Sequence, residues 1–538
     1  MKKAQIIISV FIIICTLLSL AACGSSNKFE EMGDVGNLDG GDGNKAPIIT
    51  DIYGQMAIPP TADQIVINGA LAEDPLDGEM AEDTGLPFIA ENPFVKTSDE
   101  AISTLSADVD TASYTLLRKL ISSGYSLQDI KGLASNYGLR TEEMVNYFDY
   151  SYTDPAECET FGTRASVTRS PWNADTYLLT LGIKAKEIES VAPNNLVFLI
   201  DVSGSMSSQD KLPLLQKSFS YLVSNLNEND TVSIVTYASN ERVVLEGCSG
   251  NKKETILYAI NNLSSGGSTN GEAGIQKAYE LAESYFKPNG NNRIILASDG
   301  DLNVGISTPK ELEELVSEKK KSGIFLSVLG FGTGNFRDNN MSAIAQSGNG
   351  VYHYVDSEKE AERIFATSLL STIYTVAKDV KLQLTFDPAY VAEYRLIGYE
   401  NRRLANEDFE NDTKDAGEVG SGHTLTVCYE LKMTEDAFAD NSEESLWAKL
   451  AIRYKDPDGE VSRLREMAIG DTDLLTEPDE DIRFIGAVIE ASMLLRGSTY
   501  ANPATTTLER IIDTLEEMEL EGDRAEFLTL LQTLSGQQ

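Results

Sequence analysis

Between residues 195 and 375 two periodicities alternate along the chain, and this constrains the fold more than any other feature. "NLVFLID", "TVSIVTYAS", "RIILASDG" and "IFLSVLGFG" are short apolar runs that read as strands buried on both faces. Between them, "KLPLLQKSFSYLVSNLN" places Leu215, Phe219, Leu222 and Leu226 on one helical face. "KKETILYAINNL", "EAGIQKAYELAESYF", "PKELEELVSEKKKSG", "DNNMSAIAQSG" and "KEAERIFATSLLSTIY" repeat the helical pattern. Apolar strands alternating with amphipathic helices predict an α/β domain with a doubly wound, mostly parallel sheet covered on both faces. "RVVLEG" follows a strand after only a short turn and is the expected antiparallel edge.

The flanks differ. At 538 residues the chain is too long for a single core. Residues 96–190 begin with helical spacing (Tyr114, Leu117, Leu120), offer Thr141 as an N-cap, then switch to period two in "TYLLTLGIKA". Residues 377–538 are strand-rich, with "HTLTVCYELK" and a Pro-Asp-Gly turn, and end in helices. The strand segments at 160–190 and 380–465 are expected to pair in one sheet, making the 191–376 domain an insertion in a discontinuous α+β module. Its last helix, 357–374, leads directly into the C-terminal part and could couple the site to domain orientation.

The N-terminus reads as a targeting segment. Lys2 and Lys3 precede an apolar run from Ile6 to Leu20, the layout of a secretory signal peptide over residues 1–22. "LAAC" resembles a bacterial lipobox, which implies cleavage before Cys23 and lipidation of its thiol. The expectation is therefore a membrane-anchored protein outside the cytoplasm, at the cell membrane or cell surface. Residues 23–95 are Gly- and Asp-rich and read as an acidic tether.

A net charge of −40 repels phosphate backbones, so nucleic acid is not an expected partner. Cys158, Cys248 and Cys428 allow at most one disulfide, and the sequence leaves its pairing open. Two histidines, His353 and His423, are too few for a His-rich zinc site.

The chemistry concentrates at strand ends. In a doubly wound sheet, ligands bind beyond the carboxyl ends of the strands. There "LVFLID" ends on Asp201, with Ser203 and Ser205 at alternate positions in the next loop. "SSGGSTNGEAGI" brings Thr269, with Gly266, Gly267 and Gly271 allowing close backbone approach, and "ILASDGDLNVG" brings Asp299. Two carboxylates and three hydroxyls form a hard-oxygen set suited to Mg²⁺, Mn²⁺ or Ca²⁺. A helix cap would explain one of these loops but not three converging ones. No histidine is placed to serve a serine nucleophile, and the lysine of "GSTNGEAGIQK" has the wrong spacing for a phosphate loop.

Asp-x-Ser-x-Ser, a distant Thr and a distant Asp resemble the metal-ion-dependent adhesion site of von Willebrand factor A domains. The resemblance implies direct ligation of a divalent cation, Mg²⁺ foremost, by Ser203, Ser205 and Thr269, with Asp201 and Asp299 acting largely through waters. It also implies a protein partner that supplies a carboxylate to the metal, and no enzymatic activity. "ADVDTASYTLLRKLI", "RTEEMVNYFDY" and the segment from "YRLIGYENRRLANEDF" to "TLTVCYEL" are similar to the YfbK-like bacterial von Willebrand factor A lipoproteins. The alternative function is a structural envelope protein in which the metal only stabilises the fold.

Overall fold

The computed structural model describes residues 90–537, apart from 108–109, 138, 189–191, 268–271, 301–308, 333–337, 368–373, 413, 415, 440–444 and 458. The expected signal peptide, Cys23 and most of the tether lie outside the described residues, as does Thr269.

The chain opens with β1 (Val95–Lys96), β2 (Ile102–Ser106), helices α1 (Ala112–Ser122), α2 (Leu127–Tyr137) and α3 (Thr141–Val145), then β3 (Phe161–Ser170) and β4 (Asn173–Ala185). The central domain runs β5 (Asn194–Asp201), α4 (Leu212–Asn225), β6 (Thr231–Tyr237), β7 (Glu241–Ser249), α5 (Lys253–Asn261), α6 (Glu272–Ser284) and β8 (Asn291–Ser298). It continues through α7 (Pro309–Lys319), β9 (Ile324–Phe331), α8 (Asp338–Ser347), β10 (Tyr352–Val355) and α9 (Glu358–Glu362). After it come β11 (Thr375–Phe386), β12 (Val391–Ile397), β13 (Arg403–Leu404), β14 (Gly417–Gly420), β15 (Thr424–Met433), β16 (Leu446–Lys455) and β17 (Ser462–Gly470). Helices α10 (Glu480–Arg496), α11 (Leu508–Glu516) and α12 (Gly522–Gly536) close the chain.

The central sheet has six strands in the order β10-β9-β8-β5-β6-β7. Every pairing is parallel except β6 with β7, the edge expected from "RVVLEG". Residues of β5 alternate between the two helical layers. Leu196, Phe198 and Ile200 pack with α4, where Phe198 stacks on Phe219 at 4.5 Å. Val197 and Leu199 pack on the other side with Ile275, Ala278 and Tyr279 of α6. A strand covered on both faces has no polar alternation, which is why its sequence reads as one apolar run.

The flanking segments fold together. Strand β4, before the central domain, pairs with β15, after it, from Tyr177 opposite Leu431 to Lys184 opposite Thr424. Likewise β2 pairs with β11. Two antiparallel sheets result, ordered β1-β12-β15-β4-β3 and β13-β2-β11-β16-β17. Leu179 and Leu181 of β4, Val427 and Tyr429 of β15, Leu382 and Leu384 of β11, and Leu450 and Ile452 of β16 share one core, so the sheets pack face to face. The outer face of the first sheet presents Leu178 and Cys428 to a helical layer built from both ends of the chain, including Tyr114, Phe148, Phe484 and Phe527. The central domain is thus inserted into a discontinuous module. Tyr374 Oη ties its entry to its exit, accepting from Asn194 Nδ2 at 2.8 Å and donating to the Ala192 carbonyl at 3.0 Å.

Several local expectations need correction. Thr141 is the first residue of α3, and Arg140 occupies the N-cap, its side chain pairing with Glu143 and making no capping bond. Thr141 Oγ1 instead lies 2.8 Å from Ser492 Oγ, because α3 packs on α10 and that buried hydroxyl finds a tertiary partner. The helix expected over 357–374 is α9 followed by a π turn at Arg363–Thr367, and Thr375 already begins β11. The folded module starts before residue 96, since Asn92 Nδ2 donates to the Leu396 and Gly398 carbonyls at 3.2 and 2.7 Å. Cys158, Cys248 and Cys428 are all free thiols. Among the described residues no helix is long and apolar enough to cross a membrane.

Candidate metal centre

Asp201 is the last residue of β5 and is completely buried. Its Oδ1 accepts from the Ser203 backbone N–H at 2.8 Å, which turns the chain sharply out of the sheet. Ser203 is buried too, and Ser205 is exposed in the 3-10 turn Gly204–Ser207. The two hydroxyl oxygens lie 3.0 Å apart.

The second loop reaches the first through its backbone. The Gly266 N–H donates to the Val202 carbonyl at 2.8 Å, and the Gly204 N–H donates to the Gly267 carbonyl at 3.0 Å. Gly267 has φ +85°, and a side chain there would meet Ser239 Oγ. Gly266 faces open space, so of the two described glycines only Gly267 is required by the close approach. Thr269 follows two residues later in sequence, and Gly271, like Thr269, lies outside the described residues.

The third loop leaves β8 at Asp299, also buried. Its Oδ2 accepts from Lys211 Nζ at 2.9 Å, and Lys211 is itself buried just ahead of α4. The preceding residue, Ser298, donates from Oγ to Asp201 Oδ2 at 3.5 Å and accepts from the Gly300 N–H at 3.3 Å. Among the described residues the fold therefore brings Asp201, Ser203, Ser205 and Asp299 to one sheet edge and adds Ser298 and Lys211. Neither was singled out from sequence: "SDG" reads as a turn, and nothing in the sequence marks Lys211 apart from a surface lysine.

The donor chemistry fits a hard divalent cation. Cis oxygens around an octahedral ion with bonds of about 2.1 Å are about 3.0 Å apart, and Ser203 Oγ and Ser205 Oγ have this spacing. The set is mainly hydroxyls. Accordingly, among the described residues no cluster of three or more His, Cys, Asp or Glu side chains could hold a metal. His353 cannot assist a serine nucleophile here: it is buried in β10, and burial, followed by Arg363, pushes its pKa down to about 4.

A mostly parallel six-stranded sheet with one antiparallel edge, carrying Asp-x-Ser-x-Ser at the end of a central strand, defines a von Willebrand factor A domain protein. The von Willebrand factor type A domain family matches residues 195–367; a von Willebrand factor family matches 83–180, and that of the YfbK C-terminal region matches 371–536. The chain belongs to the YfbK family. It is 39% identical over 473 residues to the uncharacterized protein YfbK of Escherichia coli (strain K12), covering 83% of this chain and 80% of that protein. It is also 25% identical to inter-alpha-trypsin inhibitor heavy chain H3 of Mesocricetus auratus, over 49% of this chain and 32% of that protein. Among solved structures it is similar to a von Willebrand factor type A protein from Catenulispora acidiphila, at 17% identity and TM-score 0.44, over 72% of this chain and 91% of that one.

Proposed function

We propose that this chain binds a protein partner through a divalent cation, Mg²⁺ foremost, held by Asp201, Ser203, Ser205, Thr269 and Asp299. The observation that carries the reading is the convergence of Asp201, Ser203, Ser205 and Asp299 on one sheet edge. There Asp201 accepts from Ser203 and Ser298, and the two loop hydroxyls lie 3.0 Å apart. When bound, the cation supplies an electrophilic docking point for a carboxylate from the partner. Asp201 orients the serine loop through the Ser203 N–H. Ser203 and Ser205 present oxygen lone pairs, and Asp299 contributes the second negative charge.

Two carboxylates against a divalent ion and the Lys211 ammonium leave the centre with a slight positive excess, so a further anionic ligand is attracted. We propose that the protein sits on the outer side of a membrane, anchored by a lipid on Cys23, with the acidic segment that follows it as the tether.

The experiment is a pull-down from envelope extracts with the full mature chain, in Mg²⁺ and in chelator, using wild type and Asp201→Ala. Capture that requires Mg²⁺ and is lost in the variant, at near-native melting, is the expected result. Equal capture in chelator would sink the adhesion reading. Capture insensitive to Asp201→Ala, with melting that responds to Mg²⁺, would favour the metal as a structural element.

A further inference from the structure

A second cluster of charge lies at the other end of the central sheet. Arg293 is near the start of β8, in register with Leu196 of β5. Asp299 is six residues further along, about 20 Å away at the rise of a strand. Arg293 lines a cavity of about 280 Å³ between the inserted domain and the sandwich. The domain side is formed by Arg293, Gln346 and Asn349, and the sandwich side by Arg402, Arg403 and Lys414.

Arg293 is only 2% exposed. Its Nη1 donates to Ser327 Oγ at 2.7 Å, and its Nε has no hydrogen-bond partner. Glu418, the acidic residue on the cavity wall, accepts at Oε1 from Asn349 Nδ2 at 2.9 Å and forms no salt bridge to Arg293 among the described residues. Burial pushes the Arg293 pKa down to about 10, and the field of Glu418 only partly opposes it. Across the cavity Arg402 pairs with Asp110 at 3.2 Å and Lys414 lies 3.8 Å from Asp408, but Arg403 is exposed and has no ion pair among the described residues. A guanidinium taken out of water without a carboxylate on it is costly. In a chain of net charge −40, a cavity lining with four basic residues against the single acid Glu418 is not the general surface composition.

We propose that this cavity binds a small multivalent oxyanion of the phosphate class, held by Arg293 from the domain and by Arg403 and Lys414 from the sandwich. Planar guanidinium forks match tetrahedral oxyanions, and Arg403 at the rim supplies the long-range attraction. Because its ligands come from both sides, the ion would fasten the inserted domain to its host module.

Inorganic phosphate titrated into the whole mature chain by calorimetry, at constant ionic strength with chloride as the balancing salt, tests this. Saturable binding is expected. Arg403→Ser should weaken it about tenfold, while Lys449→Ser, which removes an exposed charge elsewhere on the sandwich, should leave it unchanged. Hydrogen exchange should slow at 346–351 and 402–404 on adding phosphate. Absence of saturable binding, equal affinity in the Arg403 and Lys449 variants, or protection confined to other segments would each overturn the proposal. Arg403 is exposed, so its variant should fold even where Arg293→Gln does not.

Discussion

Lys211 Nζ stands 2.9 Å from Asp299 Oδ2, a buried ammonium holding a buried carboxylate at the sheet edge where a cation is proposed to bind. The pair keeps the second acidic residue compensated when no divalent ion is there to do so. A cation approaching the same carboxylate meets the repulsion of the ammonium, which therefore limits affinity.

Lys211→Met separates these two effects. Taking the ammonium away from the buried Asp299 carboxylate should lower stability in chelator by about 3–5 kcal/mol. The same change removes a positive charge from beside the site, so Mg²⁺ should bind more tightly and restore part of the loss. Thermal melts of wild type and variant, in chelator and across a Mg²⁺ series, read both. A variant that melts like wild type in chelator shows that the ion pair contributes nothing.

Ser205 offers a milder probe. It is exposed and has one described side-chain contact, with Ser203 Oγ. Ser205→Ala should change stability by no more than about 0.5 kcal/mol. Loss of a direct ligand should weaken cation binding by about tenfold or more. Mn²⁺ binding followed by electron paramagnetic resonance measures the second quantity, and urea unfolding the first. Unchanged Mn²⁺ affinity would remove Ser205 from the ligand set.

Arg118 links three parts of the molecule. From α1 it donates to Asp356 at 2.8 and 2.6 Å, to Glu360 of α9 at 2.9 Å, and to Glu526 of α12 at 3.2 Å. The last helix of the inserted domain is thereby held against the helices of the host module. Arg118→Met takes the cation from Asp356, whose side chain is only 5% exposed, while Glu360 keeps Arg363 and Glu526 keeps Lys359, and should cost about 3–5 kcal/mol. Hydrogen exchange should accelerate at 356–367 and 522–530 and stay unchanged in β16 and β17. A uniform acceleration would mean that the cluster is ordinary packing with no special hold on α9.

Glu490 of α10 is 1% exposed, and burial raises its pKa to about 7 although Arg510 donates to it at 3.0 Å. A raised carboxylate favours the folded state while protonated. Its contribution is full below the unfolded value near 4.5 and is lost as pH rises towards 7. Glu490→Gln should therefore match wild type near pH 4 and exceed it above pH 7 by up to about 3 kcal/mol. Urea midpoints of the two proteins across this range give the difference. A difference independent of pH would place the Glu490 pKa at its ordinary value.

The sequence by itself determined the class of the inserted domain, because a strand buried on both faces must be apolar throughout and a helix beside it must be amphipathic. It determined Asp201, Ser203, Ser205 and Asp299 as residues of one edge, because parallel strands all end their loops on the same side. It also marked the flanking strands as partners, since period-two segments on both sides of an α/β unit need a common sheet.

Only the tertiary structure decided what those patterns leave free. Ser298 hydrogen-bonds to Asp201 because β5 and β8 are neighbours, a pairing that local periodicity does not encode. Lys211 is buried because α4 starts against the site, although the residues just before it, Ser208, Gln209 and Asp210, are polar. Thr141 gave up its cap for Ser492, and Arg118 gathered acids hundreds of residues away, because a buried polar group bonds to whatever the fold brings within reach. Local rules act over a few residues. The partners of buried charges come from long-range packing, and those partners decide how the sheet edge and the domain junction behave.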